Sequence, residues 1–258
     1  MLDFFTNTPW WLLLAIAAFV AGFIDAIVGG GGLLTVPALL SSGLPVHMVL
    51  GTNKLASTFG TAIASYTFYR KKIFEPKLWL PCIVATCIGA LIGAIAVNLV
   101  SGQWLEKILP LIILSTAIYT LFKQPTKTAK VAPNKDCQRF RLTQRIQGVI
   151  LGFYDGFAGP GTGVFWTISG QVLHKIDLLK SSGVARTMNF VSNATALVTF
   201  MVLGQVDFKL GLMMGGCLMI GAFIGAHTAI KFGNNFIKPI FIIVVIIISI
   251  QLALRAWL

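Results

Sequence analysis

The sequence predicts an all-α polytopic membrane protein of two inverted repeats. Each repeat is a glycine-tipped broken or re-entrant helix hairpin plus three spanning helices. Three observations predict this class. The 258 residues are 56% hydrophobic and 11% charged, with a mean hydropathy of +0.85, whereas a soluble domain is roughly a quarter charged. Long apolar runs recur in two sets of five. Of the 20 Lys and Arg residues, 15 fall in four segments between those runs. A water-soluble fold of this size cannot hide so much apolar surface, so the solvent is a bilayer.

The apolar runs lie at 10–28, 33–42, 46–69, 78–100 and 105–122, then at 145–158, 163–173, 183–203, 208–230 and 236–256. They are continuous rather than alternating, which favours helices over a barrel. A spanning helix needs about 20 apolar residues, so the short runs after the glycine clusters do not span alone. The organisation is a first membrane repeat over 1–122, a basic cytoplasmic connector over 123–144 and a second membrane repeat over 145–258. The N-terminus has neither a basic n-region nor a small-residue cleavage site, so no cleaved signal is expected.

The two sets correspond in register. Gly22-Phe23-Ile24-Asp25 matches Gly152-Phe153-Tyr154-Asp155, and Gly29 and Gly31 match Gly159 and Gly161. After a two-residue slip, Gly51 and Lys54 match Gly183 and Arg186, and Gly89/Gly93 match Gly221/Gly225. Internal duplication of this kind is typical of transporters.

Charge sets the expected orientation of the halves. Basic residues collect at 70–77, 123–145, 174–180 and 231–238, while the opposite ends hold only Lys107, Lys209 and Arg255. The positive-inside rule makes the four basic segments cytoplasmic. Each half then crosses three times, an odd number, so the halves are inverted and both termini lie outside. The first two runs of each half form a re-entrant hairpin on this reading. The rival, eight full spans in two parallel fours, needs 10–42 to act as a single crossing.

Within each hairpin lies a cluster that an unbroken spanning helix does not tolerate: Gly29-Gly30-Gly31-Gly32, and Gly159-Pro160-Gly161-Thr162-Gly163. Backbone broken at membrane depth must be buried in protein or face water. The short helix that follows starts with free N–H groups, and a helix N-terminus behind glycines attracts anions. Two opposed hairpins bring two such N-termini together. Gly89/Gly93 and Gly221/Gly225 sit four apart in unbroken helices and read as helix packing instead.

Asp25 and Asp155 precede the clusters by one helical turn. Each is expected either to cap amides of the broken backbone, the favoured role, or to carry a proton. Lys54 and Arg186 are expected to draw an anion into the outer and inner vestibules, with the snorkelling interfacial cation as the alternative. Asn53, Asn189, Asn193, Ser57 and Thr58 offer polar lining on the same helices.

Other function classes fit less well. The net charge of +12 suggests nucleic acid at first sight, but no basic helix with interleaved aromatics is present. Cys82, Cys87, Cys137 and Cys217 form no CxxC pair, and the three in apolar runs read as buried thiols; His47, His174 and His227 are scattered, so neither a metal nor a cofactor is expected. No G-x-S-x-G, H-E-x-x-H or paired carboxylates suggest an enzyme. A scaffold role leaves the mid-membrane glycines and charges unexplained. The expected partners are a small anion and the bilayer, and the sequence leaves a homo-oligomer open.

Residues 22–37 (GFIDAIVGGGGLLTVP), Leu50-Gly-Thr-Asn-Lys-Leu55, residues 152–163 (GFYDGFAGPGTG) and Asn189-Phe-Val-Ser-Asn193 resemble the signatures of the TauE/SafE family of sulfite-exporter-type permeases. The resemblance covers nearly the whole chain. It implies a multi-pass bacterial inner-membrane permease for small anions, with sulfite, sulfoacetate and related organosulfur compounds as substrates of some members. An anion-selective pore is the alternative. Arg186 departs from the lysine usual in the family, replacing a point charge with a planar fork.

Overall fold

The computed structural model describes residues 10–122 and 138–233. They form nine α-helices and no strand: α1 (Trp10–Ile27), α2 (Gly32–Leu40), α3 (Val46–Arg70), α4 (Pro76–Asn98), α5 (Gly102–Phe122), α6 (Gln138–Phe157), α7 (Thr162–His174), α8 (Leu178–Val202) and α9 (Phe208–Phe232). The element order repeats, with a long helix, a glycine break, a short helix and two long helices in each set, and α5 follows in the first. The tenth apolar run, 236–256, lies outside the described residues, as do Cys137 and most of the connector.

Two boundaries differ from expectation. The connector expected over 123–144 is already helical from Gln138. The helix runs on past the apolar stretch because Gln144 and Gln147 on its inner face are buried, with Gln144 donating to the Leu78 carbonyl at 3.1 Å and Gln147 to Ser169 at 2.6 Å. The loop expected over 174–180 shrinks to 175–177, because Asp177 caps α8 by accepting from the Lys180 amide at 2.9 Å.

Among the described residues, α1, α4 and α9 are long and apolar enough to cross a membrane. Their outer faces carry exposed Ile16, Phe19 and Val20, then Leu80, Val84, Ile88 and Leu91, then Leu212, Ile220 and Phe223. Helices α3 and α8 have 25 residues each, about 37 Å at 1.5 Å per residue, but carry Asn, Thr, Ser and a cation mid-length. They are buried at the centre, where their polar groups meet one another rather than lipid.

Between lipid-facing helices no hydrophobic gain drives association, so close approach of small residues does. A side chain at Gly89 or Gly93 of α4 would run into the backbone of Val149 or Phe153 on α6. One at Gly221 or Gly225 of α9 would run into that of Phe19 or Phe23 on α1. The packing role expected of these four glycines is the one they have. The contacts are crossed: the first helix of each set lies against the fourth helix of the other. This crossing carries both glycine breaks to the middle of the molecule.

Candidate functional site

Each break is made by a glycine with positive φ. Gly29 has φ +97° and Gly159 φ +90°, at matching places in the two clusters, and Gly161 before α7 has φ +79°. Side chains rarely adopt this region, and these positions are crowded besides. A Cβ on Gly29 would strike the Arg186 guanidinium, and one on Gly159 would lie 2.9 Å from Lys54 Nζ. The tips touch directly, the Val164 amide donating to the Gly29 carbonyl at 3.1 Å.

Around the tips lies a small polar cavity of about 20 Å³, lined by Asp25, Gly29, Gly32, Asn53, Asp155, Gly159, Gly161, Thr162, Gly163 and Asn189, with Ser57, Thr61 and Asn193. Twelve of the residues singled out in the sequence thus meet at one place. The volume is that of about one water. Gly30 and Gly31 face the α2 backbone, the Gly30 carbonyl accepting from Leu33 and the Gly31 carbonyl from Thr35. Thr35 ties this turn to α3 by donating to Asn53 Oδ1 at 2.6 Å.

The charged residues form two ion pairs, each joining one half to the other. Lys54 Nζ lies 2.7 Å from Asp155 Oδ1, with the two side chains 1% and 3% exposed. It also donates to the Asp155 carbonyl at 2.5 Å, and Ser192 Oγ donates to Asp155 Oδ2. The other pair is looser: Arg186 Nη1 lies 3.5 Å from Asp25 Oδ2, with the side chains 0% and 15% exposed. Neither terminal nitrogen of Arg186 has a hydrogen-bond partner; only its Nε donates, to the Ser182 carbonyl at 3.4 Å. Asp25 Oδ1 accepts from the Gly31 amide at 2.9 Å.

Two expectations change. Lys54 and Arg186 do not stand in separate entrances. Each lies eight residues past the first residue of its helix, about 12 Å along it, and is buried. The reason is electrostatic, since an intramembrane cation is tolerated beside a counter-charge and each aspartate supplies one to the opposite half. The capping role fits Asp25 but not Asp155, whose oxygens go to Lys54 and Ser192. Ser192 and Thr35 were missed. Ser192 lies within the motif Asn189–Asn193, three residues from Asn189 and so on its helix face, which was the available signal.

His47 is within 3.1 Å of the Val100 carbonyl and His174 within 2.6 Å of Gln147 Oε1, both remote from the tips. Cys82, Cys87 and Cys217 are free thiols. Among the described residues no cluster of His, Cys, Asp or Glu suits a metal ion.

A membrane-embedded helical bundle with broken helices meeting around paired charges is the architecture of a transporter. The comparisons agree. The family model for the sulfite exporter TauE/SafE matches residues 14–252. The chain belongs to the TauE/SafE family. It is 38% identical to a probable membrane transporter protein of a Sinorhizobium species, over 95% of both chains. It is 36% identical to one of Haemophilus influenzae, over 90% of this chain and 89% of the relative. A third, YfcA of Escherichia coli K12, is 34% identical over 93% of this chain and 90% of its own. No solved structure matches.

Proposed function

We propose that this membrane transporter is a secondary carrier of small anions, sulfur-containing or organic, working by alternating access in the bacterial inner membrane. The two repeats, 1–122 and 145–258, are inverted about the cytoplasmic connector 123–144, with re-entrant hairpins and both termini outside. The anion is held at mid-membrane between the glycine tips, by the backbone of Gly29–Gly32 and Gly159–Gly163 and the side chains of Thr162, Asn53, Asn189, Lys54 and Arg186. The observation that carries this reading is the meeting of both breaks, both asparagines and the carboxylates of both ion pairs around one cavity. The family's name directs the choice of substrate toward sulfite and its relatives.

A thermal-shift screen in detergent across sulfite, thiosulfate, sulfonates and carboxylates, followed by tracer uptake into proteoliposomes, tests the reading. Gly161→Ala forces a side chain into a left-handed turn. Gly31→Ala sets a Cβ 2.8 Å from that of Asp25. Both should weaken anion binding at least tenfold while the protein still folds. Variants that fold, bind and transport like the parent would place the anion elsewhere.

A further inference from the structure

The two ion pairs occupy matching places in the repeats, yet they are not equivalent. Lys54–Asp155 is short and buried, and Ser192 supports it. Arg186–Asp25 is long, and its guanidinium is wholly buried with both terminal nitrogens lacking hydrogen-bond partners. An Arg fork and a carboxylate at ideal geometry form two parallel N–H···O bonds; here none is formed. Its Nη2 borders Gly29 at the first glycine tip, while its Nη1 is the atom 3.5 Å from Asp25.

Asp25 meanwhile holds the position that an anion at the N-terminus of α2 would take. Its Oδ1 accepts the amide of Gly31, the residue that caps α2, while its Oδ2 faces Arg186. The protein's own carboxylate thus stands where the substrate would stand. The four charges, two cations and two carboxylates, sum to zero. An arriving anion meets no net side-chain charge while Asp25 is ionised.

Resting on the anion-carrier reading, we infer that Asp25 is the coupling residue: one proton taken up by its carboxylate releases Arg186 to bind one monovalent oxyanion, so that anion and proton move together. Protonation gives the site one net positive charge, which the monoanion neutralises, and no covalent bond other than the O–H changes. The groups facing Asp25 allow this. Arg186 comes from α8, and across the cavity Asp155 from α6 is tied to Lys54 of α3. Helix α9 meets this turn of α1 through Gly221 and Gly225, and α2 carries no titratable residue. Asp155 is held by Lys54 and Ser192.

The test is titration calorimetry of the purified full-length protein with sulfite and with methanesulfonate, whose charge is constant across the range used. It is run in two buffers of different ionisation enthalpy and at several pH values. With parent protein, at pH values where Asp25 of the free protein is ionised, one proton should be taken up per methanesulfonate, and affinity should rise about tenfold for each unit the pH falls, levelling off once the free carboxyl is protonated. Asp25→Asn keeps an acceptor for the Gly31 amide. It should bind methanesulfonate as tightly as the parent at low pH, with no proton uptake and no pH dependence. Binding without proton uptake in the parent, or uptake that survives in Asp25→Asn, would overturn the inference while leaving the anion carrier intact. Should Asp25→Asn fail to fold, parent protein with no proton uptake still refutes it. No binding of either probe at any pH would overturn both readings.

Discussion

At the residue scale, the residue types at the site were legible and their partners were not. An aspartate, a lysine and a glycine run deep in apolar sequence identify themselves, because each is costly there unless something compensates. That Lys54 answers Asp155 and Arg186 answers Asp25 depends on contacts between halves more than 100 positions apart for the first pair, which no local pattern encodes. The tight pair leads to a stability prediction. Removing one member of a buried pair leaves an uncompensated charge and costs about 3–5 kcal/mol. Lys54→Met should therefore lower the melting temperature in detergent far more than Asp25→Asn, and the double change Lys54→Met with Asp155→Leu should recover most of the loss. The deficit of Lys54→Met should also be nearly independent of salt, since screening acts on exposed charges much more than on buried ones. A deficit that salt abolishes would return Lys54 to an open vestibule.

At the element scale, the runs located the helices well because composition and length decide a bilayer-embedded helix. The ends were less legible. Helix α6 begins earlier than its apolar run because buried glutamines extend its inner face, and α8 begins earlier because Asp177 caps it. Both signals are single polar residues in basic segments, easily mistaken for loop. The glycines of the long helices allow a direct comparison. A side chain at Gly93 meets the Phe153 carbonyl, whereas one at Gly216, in the middle of α9, meets nothing within 4 Å. Gly93→Val should cost on the order of 1–3 kcal/mol by overpacking the α4–α6 contact. Gly216→Ala should gain about 0.5–1 kcal/mol from helix propensity alone. Thermal denaturation in detergent reads both, and equal effects would show that the crossed packing does not depend on these close approaches.

At the scale of the whole molecule, the repeat was the most legible feature and the crossing of the repeats the least. Matching motifs announce a duplication, while the sequence does not say that the first helix of one set lies against the fourth of the other. That exchange brings two distant glycine breaks into hydrogen-bond contact. Inversion of the halves makes a separate prediction: a cysteine added at the C-terminus should react with a membrane-impermeant thiol reagent in intact cells, and protection would contradict it. The most direct test of the account is equilibrium binding of sulfite to the purified protein, comparing the parent with Arg186→Lys and Arg186→Gln. An anion held on the unsatisfied fork should lose at least tenfold in affinity with Lys, which keeps the charge but not the two parallel donors, and bind hardly at all with Gln. Folded Arg186→Gln protein that binds sulfite like the parent would contradict the claim that the anion sits between the glycine tips.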